Sequence, residues 1–393
     1  MQAILSCAVI AVLASSLMLV WRWGNLILIG QMPTKFFAFF SILFTSGLDV
    51  GLIMFPLTEF PIYEVEQAYG FTNPLAIVFG FWGFLIWVFY FLTTCYFCII
   101  EPRVKIFERA WVKLVNNIII IATCAFSGFL FLQYLPGYIV GITPVFRFAL
   151  VALVVLAAVY SSTDIRYVKI LSLSSTWLFF ALIAAMWAFG GLGLSGLATN
   201  LFQIGDYFAN IHRFVLPFSD YHAFYLFWWF AWSIMIGQFT ARFVGGMRTY
   251  QVFLAMLIFP SIPIAIWFVG LYYYHLNELN ISVWLNGLMV SVGILFVVNS
   301  LDSLIRLYTD NLNLTVKSIG KIPYFAANLL VLTGLTLLFT LDFLQIQWVG
   351  AIVIGLMFSC LLFILLTRFK LVTAISSSPE QNILDFAAVE AQK

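Results

Sequence analysis

The sequence predicts an all-α membrane protein of about eleven transmembrane helices. Three observations lead there. Hydrophobic residues make up 64% of the 393 positions and charged residues only 9%, far below the roughly 25% charged of a soluble domain. The apolar residues fall in runs of about 20, the length that spans a hydrocarbon core of roughly 30 Å at 1.5 Å per residue. Finally, the Pro, Asn, Asp and Gly clusters lie between those runs, where turns are needed.

The first run, Ile4 to Val20, follows only Met1, Gln2 and Ala3. It lacks the basic segment of a secretory signal and reads as a retained helix. The others centre near residues 48, 86, 124, 153, 180, 233, 262, 293, 331 and 357. One long stretch from Gly191 to Tyr221 does not span. Its Leu201, Ile204, Phe208 and Ile211 recur at helical spacing among Asn200, Gln203, Asp206 and Asn210, the pattern of an amphipathic helix at the interface. With the first helix set aside, five spans precede this connector and five follow, and an odd number of crossings is what an inverted-topology repeat requires. The domain reading is therefore 1–30 peripheral helix, 31–190 first five-helix repeat, 191–221 connector, 222–370 second repeat and 371–393 short cytoplasmic tail. The tail, with Ser376 to Ser378 and Pro379, is expected to be frayed.

Charge sets the orientation. Arg22, Lys35, Arg103, Lys105, Arg166, Arg242, Arg306, Lys317 and Lys370 all lie on alternate loops. The intervening loops hold Glu59, Glu64, Glu66, Asp206, Asp220, Glu278 and Asp342, with Arg147 and Arg213 as basic exceptions. The expectation is N-terminus outside and C-terminus cytoplasmic, in a bacterial inner membrane.

Composition also narrows the function. A net charge of +2 supplies no concentrated basic surface, which argues against a nucleic-acid partner. The cysteines Cys7, Cys95, Cys98, Cys124 and Cys360 sit in apolar runs and read as small hydrophobes. His212, His222 and His275 are dispersed. No nucleophile–base pair, metal-ligand spacing or phosphate loop supports an enzyme, and no cofactor is expected beyond a coupling ion.

Three groups of residues carry candidate chemistry. Gly47-Leu48-Asp49-Val50-Gly51 interrupts the second span; a broken helix at membrane depth has to line protein or a watery cavity, and an acid there marks a cation or proton pathway by default. The competing reading is a glycine packing face. In the third span, Trp82, Trp87 and Tyr90 lie within an arc of roughly 140° on a continuous helix. In the seventh, Phe224, Trp228 and Trp232 recur every four residues beside Trp229. Trp87 and Trp229 are too deep for an ordinary interfacial belt; these rings read as a cage that attracts a cation unable to donate hydrogen bonds, with lipid-facing or core packing as the competing reading. In the ninth, Asn299, Ser300, Asp302 and Ser303 can offer oxygen ligands to a cation, or are a helix end solvated at the inner face.

The spacing Trp82-x4-Trp87-x2-Tyr90 and the run Phe224-Tyr225…Trp228-Trp229-Phe230-Ala231-Trp232…Gly237-Gln238-Phe239-Thr240-Ala241-Arg242 resemble the aromatic box and signature helix of the betaine/choline/carnitine transporter family. The similarity includes Gly47 to Glu59, Lys169 to Ser172 and Asn299 to Ser303. The resemblance implies a leucine-transporter-type core of two inverted five-helix repeats, alternating access and often a homotrimer. It implies that Trp82, Trp87, Tyr90 and Trp229 cage an ammonium head, that Trp228, Trp232 and Phe224 line the inward path, and that Phe239 gates it. On this resemblance the family's peripheral first helix is expected to be lacking. Asp49 replaces a middle glycine, and Asn299 replaces a threonine of the family's sodium site, while Ser300 is retained. These departures turn the expectation from Na+ toward H+, with Asp49, Gly47, Gly51, Asn299 and Ser300 as coupling-ion residues. The long charged tails of osmosensing members are absent, which predicts uptake without osmotic activation.

The reading is a secondary transporter importing a quaternary-ammonium compound such as choline, glycine betaine or carnitine by ion-coupled symport. Its expected partners are that solute, a coupling cation and membrane lipid. The alternatives are an ion-independent exchanger and a transport-dead sensor of the same solutes.

Overall fold

The computed structural model describes residues 2–375, and within them the chain is helical apart from one two-stranded ribbon. At membrane depth no water is available to backbone N–H and C=O groups, so each apolar run closes its own hydrogen bonds as a helix. The first span is α1 (Gln2–Trp23). The second is in three pieces, α2 (Phe36–Gly47), α3 (Gly51–Met54) and α4 (Pro56–Val65). The third is α5 (Pro74–Trp82) and α6 (Leu85–Cys95), which runs through a π-turn at Tyr96–Ile100 into α7 (Glu101–Val104). Then come α8 (Ala110–Tyr138), α9 (Pro144–Ser161) and α10 (Arg166–Gly190). The connector is α11 (Leu194–Ala209) and α12 (Ile211–Phe214). The second half holds α13 (Asp220–Thr240), α14 (Thr249–Leu276), α15 (Val283–Asn311), the single turn α16 (Val316–Ile319), α17 (Lys321–Thr340) and α18 (Ile346–Phe363). A second π-turn at Ile364–Arg368 leads to α19 (Phe369–Thr373).

Nine helices among the described residues are long and apolar enough to cross a membrane unaided. The broken α2–α4 and the 21-residue α13, whose tryptophans and tyrosines lower its mean hydropathy, complete the eleven expected. The chain is thus a multi-pass all-α membrane protein, with five spans on each side of the connector after α1.

Burial separates core from periphery. The most apolar stretch of the third span is 89% buried and that of α15 78%, against 33% for α1 and 28% for α17. Within the core α13 packs chiefly on α6 and α18, and α15 on α8 and α10. The strands β1 (Ile27–Ile29) and β2 (Gly245–Arg248) pair antiparallel, Leu28 opposite Met247, and fasten the α1–α2 loop to the α13–α14 loop.

Two expectations are corrected, in the third span and in α15. The third span is not one helix: it breaks after Gly83, where Phe84 takes φ 22°, a conformation that side chains disfavour, and its N–H donates to Ser261 Oγ at 3.0 Å. The arc computed for Trp82, Trp87 and Tyr90 therefore does not apply, since Trp82 ends one helix and the other two ride the next. The connector, expected as an amphipathic helix, is helical: it packs Asn200, Ile204 and Tyr207 inward against α5 and α14 and leaves Leu201 and Phe208 exposed. Finally, Asn299 to Ser303 do not end a helix: α15 continues to Asn311 and all five are buried. The tail from Ser376 lies outside the described residues.

Candidate functional site

The site starts from the break in the second span. Ending α2 at Gly47 strands carbonyls in a place without water, and leaving a buried acceptor unpaired costs about 1–3 kcal/mol. Neighbouring helices supply the donors. Ser300 Oγ donates to Leu48 O at 2.8 Å and lies 3.3 Å from Thr45 O, and the Tyr90 hydroxyl reaches Gly47 O at 3.1 Å. On the far side, Pro56 has no N–H for Leu52 O, four residues earlier, and Trp267 Nε1 fills that role at 3.0 Å. Tyr138 Oη donates to Met54 O at 2.8 Å. Asp49 Oδ1 accepts the Gly51 N–H at 2.8 Å, at the positive end of α3. Its Oδ2 is buried without a partner.

The break thus gathers Thr45 O, Leu48 O and Ser300 Oγ around one point, with the Asp49 carboxylate next along the chain. Unwound carbonyls of this kind suit a small monovalent cation. Removing the hydroxyl in Ser300→Ala is expected to destabilise the protein by about 1–3 kcal/mol, read as a lower thermal midpoint in detergent.

The aromatic residues close over the same break. Gly47 has Tyr90 and Trp87 against it: a Cβ there would lie 3.2 Å from Tyr90 Cε2 and 3.4 Å from Trp87 Cζ3. Gly51 faces Trp82, whose Cη2 would be 2.4 Å from an added Cβ. Trp82 in turn meets Trp229 edge-on at 5.1 Å and Trp228 at 5.3 Å, while Trp228 and Trp229 stack at 4.8 Å. Trp87 and Tyr90 form a T-shaped pair at 5.5 Å. Such pairs contribute about 0.5–1.5 kcal/mol each beyond area burial.

All the expected cage residues are therefore buried along one seam, but in two groups bridged by the broken helix: Trp82 with Trp228 and Trp229, and Trp87 with Tyr90. In this conformation the rings of the first group touch one another and leave no room between them for a ligand. The indole N–H groups of Trp82, Trp87, Trp228 and Trp232 have no acceptor. A described cavity of about 410 Å³ lies elsewhere, between α1 and α18, and is lined mainly by apolar side chains.

Phe224 and Phe239 stand toward opposite ends of α13, Phe224 stacked on Tyr221 at 5.8 Å. Phe239 itself is buried against Phe243 at 5.1 Å. In the α15 cluster, Ser303 hydrogen-bonds Ser46 at 2.8 Å and Asn299 Oδ1 accepts from Ser172 at 3.3 Å. Asp302 Oδ1 is already paired with a cation, Arg306 Nη2 at 3.0 Å. The same nitrogen donates to Ser161 O and Asp164 O. Asp164's own carboxyl is taken by Arg166, whose hydrogen bonds hold its pKa down at about 2.

Residues missed in the sequence stand at the other end of the cluster. Glu59 accepts hydrogen bonds from Tyr63, Tyr221 and Tyr225. Phe55 contacts Trp82 and Trp228 at 5.8 and 5.9 Å. Glu59 was legible in part, as an acid flanked by apolar residues with Tyr63 one turn on. Its pairing with α13 was not, since it joins positions more than 160 residues apart.

No family model matches the chain. It is similar to an uncharacterized transporter of Haemophilus influenzae, 24% identical over 303 residues, covering 66% of this chain and 44% of that protein. The chain thus spans less than half the length of that curated relative. Among solved structures it is similar to a Na+-coupled sialic acid symporter in a substrate-bound outward-open state, with TM-score 0.48 and 14% identity, over 95% of this chain and 82% of that one.

Proposed function

We propose that the chain is a secondary transporter that carries a small quaternary-ammonium solute by alternating access, coupled to a cation, with H+ preferred to Na+. The observation that carries this reading is the contact at Gly51. There a helix broken at membrane depth brings a buried carboxylate, Asp49, beside the Trp82–Trp228–Trp229 cluster. A cation that cannot donate hydrogen bonds is recognised by ring faces, and a carboxylate in low dielectric adds attraction. The unpartnered indole N–H groups favour a solute that also bears an anionic oxygen, so a zwitterion such as glycine betaine ranks above choline.

The named transporter of Haemophilus influenzae supports the class but not the solute. In this reading 31–190 and 222–370 are the two repeats, the N-terminus is outside and the C-terminus inside a bacterial cytoplasmic membrane, Phe239 is the inner gate, and the assembly is a homotrimer by family resemblance. The coupling ion occupies either Asp49 or the oxygens around Ser300.

The test is uptake of labelled glycine betaine and labelled choline into proteoliposomes under a proton gradient, a sodium gradient or neither. Proton-driven accumulation, reduced at least about tenfold in Trp229→Ala by loss of cation–π energy, is the expected result. Sodium-driven accumulation moves coupling to the Ser300 oxygens. Flux only against preloaded solute identifies an exchanger, and binding without flux a sensor. Neither flux nor binding would overturn the reading.

A further inference from the structure

Glu59 is 2% exposed and lies on α4, the far half of the broken span. Its Oε2 accepts from Tyr63 Oη at 2.8 Å. Its Oε1 accepts from Tyr225 Oη at 2.8 Å and also from the Tyr221 hydroxyl. Among the described residues its hydrogen-bond partners are phenols rather than a lysine or arginine. A carboxylate in a membrane protein without a cation is costly, and charge-assisted hydrogen bonds offset part of that cost. Two of its three donors belong to α13, so the carboxylate stays satisfied only while α4 and α13 are together.

The tyrosines are also part of the aromatic cluster. The Tyr225 ring stacks on Trp228 at 5.6 Å and contacts Trp82 at 5.7 Å and Trp229 at 5.9 Å. Tyr221 lies edge-on to Tyr225 at 5.2 Å. Each phenol thus has its hydroxyl on Glu59, and its ring belongs to the packing that closes this end of the cluster. Farther along α4, Glu64 pairs with His275 at 2.8 Å beside a surface cavity of about 430 Å³ that Leu57, Glu64 and Tyr274 help to line.

We infer that Glu59 is a positioning residue: it fixes Tyr221 and Tyr225 as a lid over the Trp82–Trp228–Trp229 cluster, and this end of the cluster opens only when α4 leaves α13. This rests on the proposed transport function for the solute, but not for the motion.

Hydrogen–deuterium exchange of the full chain in lipid nanodiscs tests the motion without any solute. Losing one charge-assisted hydrogen bond is expected to raise exchange in 56–65 and 219–226 about tenfold in Tyr225→Phe. The rise is larger in Glu59→Ala and smaller in Glu59→Gln, which still accepts, while α8 and α15 keep their protection. Unchanged exchange at 56–65 in Glu59→Ala overturns the inference. So does a uniform loss of protection in Tyr225→Phe as well as in Glu59→Ala, which would make the cluster only a staple of the fold. Uptake read beside it separates the two readings: lid exchange that responds in a protein without flux or binding refutes transport and keeps the lid, and normal transport with an unresponsive lid does the reverse. Where uptake is measurable, Glu59→Gln is expected to raise KM at least about threefold with a smaller change in kcat.

Discussion

Replacing Gly51 with alanine is expected to cut solute uptake about ten- to hundredfold, with a modest loss of stability. The new Cβ would stand 2.4 Å from Trp82 Cη2, 2.9 Å from Trp82 Cζ2 and 3.0 Å from Asp49 Oδ1. Trp82 is fully buried and held by Phe55, Tyr225, Trp228 and Trp229, so its rigid ring cannot turn aside without displacing the cluster. Overpacking of this kind costs about 1–3 kcal/mol, and each 1.4 kcal/mol is a factor of ten. Gly47→Ala is the internal control. Its nearest contacts, 3.2 and 3.4 Å to Tyr90 and Trp87, ask those rings to yield only a few tenths of an ångström, and its uptake should fall less than about tenfold. Proteoliposome uptake measured for both variants checks the order. Equal effects would mean that Trp82 does not control the site through Gly51.

The largest effect on stability is expected at Asp302 and Arg306. Arg306 is 6% exposed and Asp302 fully buried, and the pair ties α15 to the carbonyls of Ser161 and Asp164 at the end of α9. Removing one partner leaves the other charge buried and alone, a loss of about 3–5 kcal/mol. Replacing both by apolar residues of similar volume removes that charge and is expected to recover most of the loss. Chemical or thermal unfolding of Arg306→Met, Asp302→Leu and the double variant tests this. A double variant no better than the singles would show that the serine and aspartate carbonyls, not the ion pair, need the guanidinium.

The gap between sequence and structure is clearest in the third span. The interval from Trp82 to Tyr90 is apolar throughout and reads as one helix, because neither Gly83 nor Phe84 is a strong breaker in a lipid setting. What permits the break is Ser261, 177 positions away, whose hydroxyl takes the freed Phe84 N–H. The second span differs: Gly47, Asp49, Gly51 and Pro56 are local breakers, so its interruption was visible before any partner was known. The donors that make it tolerable, Ser300, Tyr90 and Trp267, lie on three other helices.

Hydropathy and local breakers along the chain were enough for the membrane setting, the places of the spans, the broken second span and the aromatic residues of the seam. These follow from hydropathy over about 20 residues and from backbone chemistry, both local along the chain. Tertiary contacts put Trp82 and Trp87 on separate helices, tie Arg306 to the carbonyls of Ser161 and Asp164, and hold Glu59 by the phenols of α13. Each of these depends on which helix faces which, and in a bilayer that choice rests on side-chain packing and interhelical hydrogen bonds rather than on hydrophobicity.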